Sequence, residues 1–305
     1  MSHISTIETQ TQAIFDAHRA TFLPSAEAVT TTPDFSRAEP VYQAAKQACL
    51  HLGFIAIDAE CLALAWQAQT ARTGQFDATA WPDTPADFGL APRPRTNAFA
   101  PCPDRLGLYA VLPDAAWVGR MARASVPTVQ LRFKSDDNAA VVREVHAAVA
   151  AVQDTGSLLF INDHWRAAIN AGAYGVHLGQ EDLDALQPAE LATIRESGIR
   201  LGVSTHGYAE MLRADAVSPS YIAMGAVFPT TLKKMATAPQ GLGRLYAYAR
   251  LLRGTPLVAI GGIDAAQMPA VAASSVGSVA VVRALVQAEN PELTAMELKQ
   301  ILAAA

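Results

Sequence analysis

Charge is scarce in this sequence. Asp, Glu, Lys and Arg make up 17% of 305 residues, 23 basic against 28 acidic, for a net of −5. With no block of like charge and no basic stripe, nothing marks the chain as a nucleic-acid binder. Cysteine is scarcer still. Cys49, Cys61 and Cys102 are odd in number and share no CxxC spacing, so neither a disulfide framework nor a cysteine metal site is expected. A reducing, cytoplasmic compartment fits that usage. The N-terminus from Met1 to Gln10 is polar, without a signal-type apolar core, and no apolar run reaches the roughly 18 residues of a membrane span. What is present in quantity is apolar side chain, 51% of the chain, enough for one large core or two of ordinary size.

Proline is unevenly spread. Six prolines fall between Pro82 and Asp104 (Pro82, Pro85, Pro92, Pro94, Pro101 and Pro103). Each removes a backbone donor and fixes φ, so this stretch is expected to be extended or irregular. It divides the chain into an N-terminal, mainly helical extension (1–104) ending in a Pro-rich linker, and a second domain (105–305). Two helices are expected in the extension, Ala38–Leu52 and Ala59–Arg72, the second with Leu62, Trp66 and Gln69 at near-helical spacing. Trp66 and Trp81 read as packing residues. No chemical motif precedes residue 105, and the role of the extension is not legible.

Beyond Asp104, short β-rich runs alternate with Ala/Leu-rich helical stretches. Eight runs are expected as strands: Leu106–Leu112, Thr128–Leu131, Leu158–Ile161, Gly175–Leu178, Leu201–Val203, Tyr221–Met224, Leu257–Ile260 and Ser278–Val282. Helices are expected over Ala139–Gln153, Ala189–Glu196, Tyr208–Ala216, Leu242–Leu252 and Ala265–Ala273. The strand runs are nearly all apolar, as strands covered on both faces are. The expected fold is α/β, a compact (β/α)8 TIM barrel, although an open doubly wound sheet satisfies the same alternation.

Polar residues and glycines cluster where the runs end. They are Gln130, Arg132 and Lys134; Asn162-Asp163; Gly179 to Asp182; Ser204-Thr205-His206; Thr230 to Lys234; Gly261-Gly262; and Arg283. In a closed barrel these ends share one mouth, the face where such folds keep their sites. Arg132, Lys134 and Lys233 are cations suited to a multiply charged phosphate. Asp163 and Asp182 are hard oxygen ligands suited to Mg²⁺. Gln130 and Asn162 supply neutral donor–acceptor pairs, and Gly261-Gly262 lets backbone N–H groups approach a monophosphate. Taken singly, each is ordinarily structural: Asn-Asp a turn or cap, Lys-Lys a solvated pair, Gly-Gly a turn, His177 and His206 hydrogen-bonded framework. Their recurrence after successive strands favours a site for one metal-bound diphosphate and one monophosphate.

In that order the motifs QLRFK, FIND, GVHLGQED, GVST, VFPT..KK, APQGL, VAIGGI and VAVV resemble thiamine phosphate synthase over residues 106–285, and GVHLGQED is the most specific of them. The resemblance implies a Mg²⁺-dependent transferase of thiamine biosynthesis. It joins 4-amino-2-methyl-5-hydroxymethylpyrimidine diphosphate to 4-methyl-5-(2-hydroxyethyl)thiazole phosphate. It further implies that Gln130 contacts the aminopyrimidine and that Arg132, Lys134, Asn162 and Lys233 hold the diphosphate. By the same resemblance Asp163 and Asp182 bind Mg²⁺, Ser204 sits near the breaking C–O bond, and Thr230 and Gly262 contact the thiazole phosphate. Ser204, Lys233 and Arg132 are its catalytic residues. The reaction implied is dissociative: diphosphate leaves, and the thiazole nitrogen captures a pyrimidine-methyl cation.

Three residues depart from that pattern: Phe133 for a Glu, Leu232 for a second Thr (with Thr231 one residue away), and Arg283 for a Ser. The last two bear on the thiazole-phosphate half, where Arg283 is expected to turn inward and bind. A thiazole tautomerase and a non-catalytic phosphate-ligand sensor share the barrel, but neither needs the full diphosphate set. The expected partners are small-molecule substrates, with no nucleic acid and no membrane. The oligomeric state stays open, a homo-oligomer included. A chain beginning near Pro103 is expected to keep activity.

Overall fold

A computed structural model describes residues 3–23, 34–230 and 238–304. Eight parallel strands close into a barrel in sequence order: β1 (Gly107–Leu112), β2 (Thr128–Leu131), β3 (Leu158–Asn162), β4 (Gly175–Leu178), β5 (Arg200–Thr205), β6 (Tyr221–Met224), β7 (Leu257–Ile260) and β8 (Gly277–Val281). The sheet closes where β8 pairs with β1, Gly107 beside Ser278 and Tyr109 beside Ala280. Closure thus settles the open-sheet alternative.

The alternation of each strand is hidden in the sequence because both faces are buried. Outward residues such as Leu108, Ala110, Val129, Ile161, Val176, Leu201 and Val279 join the main core under the helical shell. Inward residues Tyr109, Val111, Phe160, Tyr221, Ala223, Val258 and Ala280 form a second cluster inside the barrel. Two inward glycines make room for the rings. A Cβ on Gly175 would stand 2.2 Å from the Phe160 ring, and one on Gly202 would stand 2.1 Å from that of Tyr221. Both strands need glycine there because an aromatic ring on the neighbouring strand fills the same layer.

Outside the strands lie α4 (Ala115–Arg123), α5 (Asn138–Val152), α6 (Trp165–Ala171), α7 (Gln180–Ala185), α8 (Pro188–Glu196), α9 (Tyr208–Ala216), α10 (Gly241–Leu251), α11 (Met268–Ala272), α12 (Arg283–Val286) and α13 (Pro291–Ala303). Asp114 begins α4 by accepting from the Trp117 N–H at 2.8 Å, and Asp137 begins α5 by accepting from Ala139 at 2.8 Å.

The first hundred residues contribute α1 (His3–Phe22), α2 (Pro40–His51) and α3 (Ala56–Thr73). The second and third lie within three residues of the expected bounds, while α1 was not expected. Its buried stripe is Thr11, Ile14, His18 and Phe22, spaced for a helix but half polar, which hides it from a search for apolar periodicity. The three helices pack on the α9–α10 flank through an aromatic cluster. Phe54 and Trp81 stack at 5.6 Å, Phe88 stacks on Tyr208 at 5.5 Å, and the Trp81 indole donates to the Tyr208 hydroxyl at 3.0 Å.

The proline-rich stretch is irregular apart from one 3-10 turn, Pro85–Phe88. It is also fastened. Arg93 and Arg95 both pair with buried Asp215, and the Phe99 N–H donates to the Ser218 carbonyl at 3.0 Å. The Ser220 hydroxyl donates to Ala100 O at 2.6 Å, and the Arg200 guanidinium to Pro101 O at 3.2 Å. Among the described residues no helix is long and apolar enough to cross a membrane.

Candidate active site

A cavity of about 650 Å³ opens where the strands end. Its lining includes Gln130, Arg132, Lys134, Asn162, Asp163, Ser204, Thr230, Gly262 and Arg283, brought from six of the eight strand ends. Lys233, with Thr231, Leu232 and Lys234, lies outside the described residues. Asp182, on the first turn of α7, does not line the cavity but stands against Asp163, which does.

Strand geometry explains the convergence. Gln130, Asn162, His177 and Ser204 occupy inward positions in the C-terminal halves of their strands. The register sets Gln130 beside Phe160, Asn162 beside His177, and Ser204 beside Ala223. Beyond the strand, Asp163 takes a left-handed backbone, φ 64°, which turns its carboxylate toward the mouth. Asp and Asn tolerate that region better than other side-chain-bearing residues, so the Asn162-Asp163 turn and the placement of the carboxylate are one feature.

The electrostatics of the mouth are left open. Lys134 pairs with Asp163 Oδ2 at 2.5 Å. The Asp182 carboxyl is held above the ordinary range, first by burial and second by the charge of Asp163 beside it. Two carboxylates set together, with one lysine on Asp163, suit a hard divalent cation. Among the described residues no group of three or more His, Cys, Asp or Glu is arranged around a metal. Mg²⁺ does not require one, since it keeps waters and bridges to substrate phosphates. The pair therefore fits that ion. Asp182 Oδ2 also accepts from the Gly179 N–H at 3.2 Å, which fixes the carboxylate to the start of α7.

Gly261 and Gly262 are required by shape. Their φ values are 105° and 67°, and a Cβ on either would fall 2.5–2.6 Å from the loop after β6, on Ala226 or on the Pro229 carbonyl. Phe133, within QLRFK, packs on the shell core outside the cavity, so that departure faces away from the mouth. Arg283, by contrast, lines the cavity at the start of α12.

The sequence reading did not single out Tyr109 or Tyr221, and it treated His177 as framework. These residues form a buried hydrogen-bonded series with Gln130, Asn162 and Ser204. Tyr109 Oη donates to Gln130 Oε1 at 2.8 Å, and Gln130 Nε2 donates to Asn162 Oδ1 at 2.9 Å. Tyr109 and Tyr221 hydroxyls lie 2.8 Å apart, Tyr221 and His177 Nδ1 2.7 Å, and His177 Nε2 and Ser204 Oγ 2.7 Å. Burial lowers the His177 imidazole to about 4, against a smaller opposing effect of Asp163. No sequence signal pairs Tyr109 with Tyr221, which are 112 positions apart. His206 is tied to Glu210 at 2.7 Å, a framework contact at the rim.

The profile of the thiamine monophosphate synthase family matches residues 108–285. The chain is 56% identical over 194 residues to a thiamine-phosphate synthase of Neisseria meningitidis serogroup B, covering 64% of this chain and 93% of that one. It is 50% identical over 203 residues to one of Escherichia coli O6:H1, covering 67% and 95%. A solved thiamine phosphate pyrophosphorylase from Pyrococcus furiosus superposes with a TM-score of 0.58 at 25% identity, over 66% of this chain and 97% of that one. On these matches, and on the cavity they frame, the chain belongs to the thiamine monophosphate synthase family.

Proposed function

We infer that this chain is a thiamine-phosphate synthase. It transfers the pyrimidine-methyl group of 4-amino-2-methyl-5-hydroxymethylpyrimidine diphosphate to the ring nitrogen of 4-methyl-5-(2-hydroxyethyl)thiazole phosphate, releasing diphosphate. The observation that carries this beyond family membership is the mouth itself. Cations, the Asp163 carboxylate with Asp182 behind it, and neutral amides from different strands gather at one cavity large enough for two small phosphorylated substrates.

In this reading Arg132, Lys134, Asn162 and Lys233 hold the diphosphate, and Gln130 reads the aminopyrimidine. Thr230, Gly262 and Arg283 receive the thiazole phosphate at the end of the barrel where such folds commonly bind phosphate. Asp163 and Asp182 would hold Mg²⁺, which when bound neutralises charge on the diphosphate. Bond breaking leaves negative charge on the departing group and positive charge on the methylene carbon. Arg132 and Lys134 oppose the first from fixed positions, the kind of preorganised stabilisation that lowers such barriers most. Ser204 faces the second. No general base is required, because the thiazole nitrogen attacks with its own lone pair. The free thiols of Cys49, Cys61 and Cys102 fit the cytoplasm as the location we propose.

The test is incubation with both substrates and Mg²⁺, following thiamine phosphate and diphosphate together. Diphosphate release that depends on the thiazole phosphate is the expected result, and a tautomerase or a sensor would give none. Asp182→Asn should fold normally and lose most of this activity, about a hundredfold, with partial recovery at high Mg²⁺. Unchanged metal dependence would remove Asp182 from the metal site.

A further inference from the structure

We propose that Tyr109, Tyr221 and His177 form a one-directional hydrogen-bond relay that commits the Ser204 proton to the barrel interior, so that Ser204 meets the substrate as a hydrogen-bond acceptor. This rests on the reading of the mouth as the pyrimidine-diphosphate site. The direction follows from counting protons along the series.

Gln130 sets the first sign. Its carbonyl oxygen accepts from the Tyr109 hydroxyl, while its amino group donates to the Asn162 oxygen. A tyrosine hydroxyl carries one proton, and that of Tyr109 is used on Gln130. The contact between Tyr109 and Tyr221 is therefore donated by Tyr221. With its own proton used, Tyr221 can only accept from His177, so the Nδ1 atom carries the imidazole proton. A neutral imidazole has one proton, which leaves Nε2 bare, and the contact with Ser204 Oγ is donated by the serine.

Burial makes the rule strict. Tyr109 is 1% exposed, Tyr221 0% and His177 7%, so water does not relieve a misdirected proton. A single reversal inside the series sets two protons or two lone pairs face to face, and a buried polar atom without its partner is costly. The series must reverse as a whole or not at all. Whole reversal requires both amides to turn, presenting the Asn162 oxygen to the mouth in place of its amino group. An anion bound at Asn162 opposes that, so a diphosphate on β3 and the orientation of Ser204 on β5 are linked through the barrel interior. The lone pairs of Ser204 then face the carbon on which positive charge develops. Tyr109 and Tyr221 lie outside the cavity lining and His177 borders it beside Ser204, so the three act on the substrate through Ser204 as positioning residues.

The decisive measurement is the tautomer of His177. The chain contains seven histidines, and His177→Gln identifies the signal by its loss. Side-chain ¹⁵N spectra of the full chain with Mg²⁺ and inorganic diphosphate should show a protonated Nδ1 and a bare Nε2. A protonated Nε2 overturns the proposal, whether or not the protein makes thiamine phosphate. Tyr221→Phe and Tyr109→Phe each keep the ring and cut the relay. Each should release the tautomer preference and lower kcat about tenfold, as expected for one buried hydrogen bond, with the KM for thiazole phosphate unchanged. If both variants keep the wild-type tautomer and kcat, no relay operates.

Discussion

Ser204 and Asp58 stand on either side of one loop, and their surroundings differ in kind. Ser204 is the last but one residue of β5 and lines the cavity. Asp58, from α3 of the N-terminal region, reaches over the loop and accepts from the Ala209 N–H at 2.9 Å, capping α9 from a distant part of the chain. Gly207 lets it in, since a Cβ there would stand 2.1 Å from the Asp58 carboxylate. In the mouth, charge is only partly resolved: two carboxyls, Asp163 and Asp182, stand together with the exposed Lys134 on one of them, and the cavity is open to a cation and to anions. Along the flank, charge is closed off. Asp215 holds Arg93 and Arg95, Asp87 takes Arg72 at 2.6 Å, and Lys46 meets Glu60 at 2.7 Å. Polar groups gathered but not satisfied mark where ligands act, whereas satisfied ones build a fixed platform. Substitutions in the mouth should accordingly change rate at constant stability, and those on the flank the reverse.

The largest expected effect tests that division directly. A chain beginning near Pro103 loses Arg93 and Arg95 and leaves the Asp215 carboxylate, 3% exposed, without its partners. The truncation also uncovers that carboxylate, so the larger loss is of apolar cover on the flank: Tyr208 loses the rings of Phe54 and Phe88 and the indole of Trp81. The sequence alone suggested that such a chain keeps activity. The packing argues that it does not fold stably, which circular dichroism and thermal melts would check. Arg95→Ala in the full chain is the milder version, with a lower Tm and a kcat near wild type. A truncated barrel that melts like the full chain would make the N-terminal region an appendage.

Much of this was readable beforehand, for a reason visible in particular strands. Runs such as Thr128–Leu131, Tyr221–Met224 and Leu257–Ile260 match the strands residue for residue, because a doubly covered strand is a short apolar run with sharp polar ends. The β5 strand was expected to stop at Val203, two residues early, since Ser204 and Thr205 are polar although still in the ladder. Site residues blur the boundary they sit on. Helices α6 and α7 lie directly against motif residues and are too short to show a period. Least legible was the interior. Tyr109 and Tyr221 look like ordinary strand aromatics, and only closure and register bring their hydroxyls together.

A smaller effect concerns Asp58 itself. Burial raises its carboxyl to about 6, with the Glu210 charge adding to the rise and the Ala209 hydrogen bond and Arg244 opposing it. The folded chain then holds a proton that the unfolded chain has released between about pH 4 and pH 6. Stability contributed by this group falls as pH rises through that window, by at most about 3 kcal/mol at neutral pH. Asp58→Asn keeps an acceptor for the Ala209 N–H and removes the ionisation. It should melt higher than wild type at pH 7.5 and the same at pH 4, with kcat unchanged. A parallel pH dependence in both proteins would show that Asp58 ionises freely.

The smallest effect lies back in the mouth, at Arg283, where the resemblance drawn from the sequence leads one to expect a serine. Arg283 opens α12 and lines the cavity beyond β8, next to the layer formed by Gly261 and Gly262. A serine there offers one neutral hydrogen bond to a phosphate, about 1 kcal/mol. A guanidinium offers a charge-assisted pair, roughly twice as strong. Arg283→Ser should therefore raise the KM for thiazole phosphate several-fold, about the ratio those two contributions allow. The KM for the pyrimidine diphosphate should stay constant, because Gln130, Arg132, Lys134 and Asn162, the residues proposed for it, come from β2 and β3. The Tm should move little, since Arg283 lines the cavity and is not part of the buried core. If stability drops while the thiazole-phosphate KM holds, Arg283 belongs with the closed charges of the flank, and the mouth binds its second substrate through backbone N–H groups and Thr230 alone.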